Sequence, residues 1–70
     1  MTVIKATMAG TLWKVLVQEG QKVSVGEEVI VLESMKMEIP IEAEVSGIVK
    51  KVHVAEGDFV NVDDALVEVE

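Results

Sequence analysis

Seventy residues leave room for one domain, and half of them are apolar with Val and Ile dominant, so the core must be aliphatic and strand-forming. Thirteen acidic residues against six basic ones give a net charge of −7, which counts against binding to a nucleic-acid duplex or an anionic membrane. There is no cysteine, so disulfides, thiolate nucleophiles and cysteine metal sites are excluded. No apolar run approaches the ~20 residues of a membrane span, and Met1–Lys5 does not open a signal peptide, so the default expectation is a cytoplasmic protein.

Taken in order, the chain reads as short strands separated by Gly-rich or acidic turns. Val3 to Met8 is predicted as the first, with Ile4, Ala6 and Met8 facing inward. After Gly10 come Leu12, Val15 and Val17. The step of three between Leu12 and Val15 breaks the period of two, and a β-bulge near Trp13-Lys14 would restore it. Glu19-Gly20 is a turn, Val23/Val25 a very short strand, Gly26-Glu27 a turn, and Glu28–Leu32 a closing strand. Met37, Ile39, Ile41 and Ala43 then alternate with Glu38, Pro40, Glu42 and Glu44, so the apolar set should face inward. Pro40 cannot donate to a ladder, which marks an edge strand. The remaining elements repeat the first half: a strand after Gly47 with a bulge near Lys50-Lys51, a turn at Glu56-Gly57, Val60/Val62, a turn at Asp63-Asp64, and Ala65–Val69. No stretch has a helical period. The pattern predicts an all-β sandwich or flattened barrel.

The repetition is an ungapped internal match at an offset of 37. Residues 1–33 align with 38–70, and 11 of the 33 pairs are identical, among them Gly10/Gly47, Gly20/Gly57, Val23/Val60 and Glu33/Glu70. Two copies are too few for a solenoid. They predict one domain, 1–70, whose halves are related by an internal pseudo-twofold axis and joined by a tight bridge, Ser34-Met35-Lys36-Met37.

The bridge is what the chain has beyond a doubled β unit. A two-residue hairpin turn favours Asn-Gly or similar, because φ is positive there, and Met35-Lys36 is a poor choice for such a backbone. A local rule broken at an exposed tip points to function. An amine with the reference lysine pKa of about 10.4 is only roughly 0.04% neutral at pH 7. Burial or a neighbouring cation usually activates such an amine, and this segment supplies neither. Lys36 therefore suits acylation by a second enzyme that brings its own base. Met35, pointing away from the core, offers that enzyme a flexible apolar contact. Met37 is either core or recognition, and Glu33 and Glu38 are either recognition residues or solvated strand-end charges.

Glu33-Ser34-Met35-Lys36-Met37-Glu38 resembles the attachment motif of the biotinyl/lipoyl attachment domain family, whose biotinyl members centre on Met-Lys-Met after an acidic and a small residue. Gly20, Gly26 and Gly47 fall where that family places glycines, and the resemblance runs over essentially the whole chain. It implies a flattened barrel of two four-stranded antiparallel sheets with quasi-twofold symmetry and the lysine on a hairpin tip. It further implies a biotin carboxyl carrier that is not catalytic alone. Biotin would be joined by an amide to Lys36 by a biotin protein ligase, then serve a biotin carboxylase and a carboxyltransferase. Met35, Met37, Glu33, Ser34 and Glu38 would be ligase or partner recognition residues. Some carriers insert a protruding thumb in the first copy; the ungapped repeat between Val17 and Val23 leaves no room for one.

Two other readings compete. One is a lipoyl carrier for a 2-oxo acid dehydrogenase-type complex, whose members more often show Asp-Lys-Ala. The other is an unmodified adaptor of the same fold. A stand-alone enzyme lacks any nucleophile–base pair or metal cluster. His53, the only histidine, has no companions for a metal site and belongs on an outer strand face. Trp13 aligns with Lys50, so its position does not require an aromatic; its ring either covers the sandwich edge or is a docking contact.

Overall fold

The computed structural model describes residues 1–70, and all regular structure in it is β. Eight strands follow in order: β1 (Thr2–Lys5), β2 (Gly10–Val15), β3 (Lys22–Val23), β4 (Glu28–Ser34), β5 (Met37–Glu42), β6 (Gly47–Val52), β7 (Phe59–Val60) and β8 (Ala65–Val69). They form two four-stranded antiparallel sheets, ordered β1-β8-β6-β3 and β5-β4-β2-β7. Exchanging the two copies at the offset of 37 interchanges the sheets: β1 corresponds to β5, β2 to β6, β3 to β7 and β4 to β8. Each copy of the repeat contributes two strands to each sheet. Neither copy can therefore bury its apolar face or pair its strand edges without the other.

The core follows the same rule. Ile4/Ile41, Ala6/Ala43, Leu12/Val49, Val23/Val60, Val29/Leu66, Ile30/Val67 and Leu32/Val69 are buried as matched pairs. Val17 is buried too, and its counterpart Val54 packs half-buried against the same cluster. Every member is aliphatic and most are β-branched, as pleated, closely facing sheets favour.

Bulges set which residues reach that core. The β2–β4 register shifts between Leu12 and Lys14, and the β6–β8 register between Val49 and Lys51, where the sequence pattern called for it. A second matched pair of irregularities lies at Val29, between β4 and β5, and at Leu66, between β1 and β8. There the extra residue lets two consecutive side chains, Val29-Ile30 and Leu66-Val67, both face inward. A strict period of two cannot do this.

The connecting turns are also matched. Gln18–Gln21, Ser24–Glu27, Ala55–Asp58 and Asn61–Asp64 each close with a backbone bond from the fourth residue to the first carbonyl. In each, the fourth side chain also accepts from the first N–H, at 3.2, 3.1, 2.9 and 2.8 Å respectively. The third residue has positive φ in every case: Gly20, Gly26, Gly57 and Asp63. These turns also tie the two copies together. Gly20 donates to Val49 O and Val49 to Gln21 O, and their counterparts Gly57 and Leu12 bond in the same way.

Three sequence expectations are corrected. The first strand ends at Lys5 and not at Met8, because Ala6 already spends its N–H and C=O on Asp64 and Asp63 of the opposite turn. Val25 and Val62 are not strand residues: they occupy the second position of β-turns and are exposed. The closing strand of the first copy runs on to Ser34, because its hairpin partner extends the ladder. Between β2 and β3 there is a short connection turning at Glu19-Gly20, with no thumb.

Candidate functional site

The β4–β5 hairpin carries all six residues of the singled-out segment. Its register pairs Ile30 with Ile41, Leu32 with Ile39, Glu33 with Glu38, and Ser34 with Met37, leaving Met35-Lys36 as a two-residue loop. Both loop residues are left-handed, with φ of 51° and 64°. This is the type I′ pattern that matches strand twist and favours Asn-Gly. For L residues with a Cβ the conformation costs about 1–2 kcal/mol each. The core enforces it. Ile30, Leu32 and Ile41 are fully or almost fully buried, and a slip of one residue would turn that whole set to solvent. The loop has no other length or register available.

The consequence is a lysine presented at a tip. Lys36 is exposed, and Met35 before it is 91% exposed. The one lysine–carboxylate pair is Lys50–Glu70, so the Lys36 amine is not held by a carboxylate. Met37 is 63% exposed, which corrects its placement in the inward-facing set. By parity it does lie on the inner side of β5. It stands beyond the end of the sandwich, however, where no opposite sheet remains to cover it. Ser34, its partner, is half-buried.

Glu33 and Glu38 are exposed and directly opposite each other on the outer face of the hairpin. Like charges in such a pair oppose pairing by a fraction of a kcal/mol. The ladder tolerates them because the aliphatic pairs beneath fix the register. Neither carboxylate is in a salt bridge, so the pair concentrates negative charge below the loop.

Some neighbours of the hairpin were not legible as such. Gly10 sits under the Glu33 carbonyl: a Cβ there would lie 2.8 Å from the oxygen. Thr11 pairs with Glu33 on one side and with Phe59 on the other. Phe59, Thr11, Glu33 and Glu38 thus form one row across the sheet. The identical pairs Gly10/Gly47 and Glu33/Glu70 were the sequence signal for the first contact; nothing in the pattern signalled the second.

The surface has no pocket, and no three residues are grouped to hold a metal. The site is a projecting amine on a rigid hairpin, which can accept an acyl group through an amide. His53 was expected on a strand but lies one residue past the end of β6, where its Nε2 contacts Glu68 Oε1 at 3.0 Å. Trp13 lies at the β2 bulge with the Lys14 amine 5.3 Å from its ring centre.

Known proteins are similar to this chain in sequence and in fold. The biotin/lipoyl family model, described as biotin-requiring enzyme, matches residues 2–69. The biotin/lipoyl attachment protein of Bacillus subtilis (strain 168) is 58% identical over 65 residues, 93% of this chain and 89% of that protein. Pyruvate carboxylase of the same organism is 43% identical over 67 residues, which are 96% of this chain but 6% of that enzyme. Among solved structures, the Kluyveromyces lactis urea carboxylase superimposes with a TM-score of 0.92 at 30% identity, covering 99% of this chain and 6% of that one. The chain therefore spans most of one short relative and a small part of the large carboxylases. With a family match over nearly its full length, the chain belongs to the biotin/lipoyl attachment family.

Proposed function

We propose that this chain is a biotin carboxyl carrier domain, that Lys36 is its attachment residue, and that it works with a biotin-dependent carboxylase and not as a catalyst by itself. The observation that carries the reading is the strained two-residue turn, which lifts an unpaired lysine clear of the sandwich on a hairpin locked by the core. The residues fit the group. An amide to a carboxylic acid needs a reachable amine with space around it, and Lys36 has both.

In this reading Lys36 Nζ would hold biotin through an amide to its carboxyl group, a biotin protein ligase supplying the activated carboxyl and the base that takes up the ammonium protons. Bound biotin supplies a ureido nitrogen able to hold a carboxyl group between a biotin carboxylase and a carboxyltransferase. The rigid hairpin sets where the arm is rooted, so the domain contributes reach and local concentration. Glu33 and Glu38 accept a basic contact from the ligase. Met35 and Met37 flank the lysine with adaptable apolar surface, and half-buried Ser34 lies at the hairpin base beside them. Lipoate would need the same amide, and the unmodified adaptor would need none.

Intact-mass measurement with peptide mapping separates these readings, after co-expression with a biotin ligase and, separately, with a lipoate ligase. A biotin adduct on Lys36 is expected. A lipoyl adduct alone, or no adduct with either ligase, overturns the biotin reading.

A further inference from the structure

The internal repeat supplies a control that single-copy folds lack. Both sheets solve the same folding problem, so a systematic difference between their outer faces is not demanded by the scaffold. Such a difference exists in the aromatics and in the charges, although Ile48, 44% exposed on the other sheet, stands where this one has Thr11. The chain has two aromatic residues, and both lie on the outer face of the β5-β4-β2-β7 sheet, Phe59 65% and Trp13 42% exposed. Their counterparts on the other sheet, 37 positions away, are Lys22 and Lys50. Leu16 stands where that sheet has His53, and Val31 where it has Glu68. Val31 points outward between Lys14 and Pro40 yet is only 8% exposed. The polar His53–Glu68 contact of one face thus has an aliphatic counterpart on the other.

This apolar strip is rimmed by acid. On β4 and β5, Glu33 is opposite Glu38 and Glu28 is opposite Glu42, with Val31 and Pro40 between the two pairs. Four of the chain's six lysines, Lys5, Lys22, Lys50 and Lys51, belong to strands of the other sheet. The aromatic face is also the one continuous with the Lys36 hairpin. Phe59 shares a row with Glu33 and Glu38, on the order of 14 Å from Glu38 at three strand spacings.

We propose that the outer face of the β5-β4-β2-β7 sheet is the docking surface for the enzyme that acylates Lys36, which meets it with an apolar seat for Trp13 and Phe59 and a basic rim for the two glutamate pairs. The inference rests on the carrier reading above. Charge selects the occupant. A second copy would set four glutamates against four, in a chain already at −7. Position selects it as well. An enzyme that reacts at Nζ itself must sit against the hairpin and its adjoining face, whereas one that acts on the far end of an attached group is separated from it by the arm. The face is small, a few strands wide, as suits a transient encounter and not a permanent complex.

The test uses the repeat's own residues. Trp13→Lys and Phe59→Lys install what the counterpart positions already carry, in a chain that keeps Lys36. Biotinylation by a biotin ligase is followed in steady state against carrier concentration, with thermal midpoints measured in parallel. The expected result is a KM for the carrier raised about tenfold or more in the double variant, with kcat within about twofold and the midpoint unchanged. Lys22→Ala and Lys50→Ala, on the opposite face, should leave KM unchanged. Added salt should raise the wild-type KM, because the rim is charged. An unchanged KM in the double variant, with wild type readily biotinylated, overturns the docking surface and leaves the carrier reading standing. A change in oligomeric state on sedimentation, or a defect confined to carboxylase turnover, overturns it in favour of a second copy or the carboxylase. Failure of the wild type to be biotinylated overturns both.

Discussion

Gly10 and Glu33 touch through their backbones: a Cβ on Gly10 would lie 2.8 Å from the Glu33 carbonyl oxygen. The same relation holds between Gly47 and Glu70, where the Val69 Cγ1 would also be met at 2.8 Å. Neither glycine has positive φ, so close approach, and not backbone conformation, is what forbids a side chain. Gly10→Ala should cost about 1–3 kcal/mol by forcing β4 away from β2, and Gly47→Ala at least as much. Urea unfolding of the two variants checks this. A cost below that of a surface substitution would show that the sheets yield at this point.

The tip carries strain that function requires and folding does not. Met35→Asn with Lys36→Gly should raise stability by about 1–2 kcal/mol, because both positions would then suit left-handed backbone. It should also abolish modification. Lys36→Arg should abolish modification too, since guanidinium is never a neutral amine, while moving the thermal midpoint by almost nothing. Calorimetry and intact mass on the same samples test both. A large fall in midpoint for Lys36→Arg would make the lysine structural.

His53 and Glu68 are joined at 3.0 Å with side chains 28% and 23% exposed, and their counterparts are Leu16 and Val31. His53→Leu or Glu68→Val alone leaves a polar partner stranded and should cost about 0.5–1 kcal/mol. The double change copies the other face and should come within about 0.5 kcal/mol of wild type. A double-mutant cycle measures the coupling directly. Simple additivity would mean that the contact contributes nothing.

Leu12 and Val49 occupy equivalent core positions and differ by one methylene. Leu12→Val should cost about 1 kcal/mol, and Leu12→Ala about 2–5 kcal/mol. A Leu12→Ala cost near 1 kcal/mol in urea unfolding would mean that the core collapses onto the space.

Much of this architecture was legible because the sequence is written twice. A period broken at the same step in both copies located the bulges at Trp13 and Lys50, and Pro40 marked β5 as an edge. What stayed hidden depends on where strands stop. Met37 continues the inward parity of Ile39 and Ile41, but parity says nothing of whether a second sheet still lies opposite. Val25 and Val62 have the right spacing for a strand, yet Gly26 and Asp63 claim the backbone for turns. The inward run Val29-Ile30 needed a bulge that the apolar pattern alone does not distinguish from a fully buried strand. Phe59 had no place in the strand pattern; only the pairing through Thr11 set it beside Glu33.

Exchange of the two sheets under the offset of 37 has a topological corollary. The sandwich contains two equivalent gaps between an outgoing and an incoming strand. Four residues, 34 to 37, span the one between Glu33 and Glu38; the other lies between Glu70 and Met1. A circular permutant joined by four residues at the second gap and cut between Met35 and Lys36 would retain all eight strands and every pairing among them. Folding of that permutant would show that covalent threading through the tip is dispensable for the architecture. The hairpin can be read as a spare seam, whose sequence is free to be set by what must be attached there.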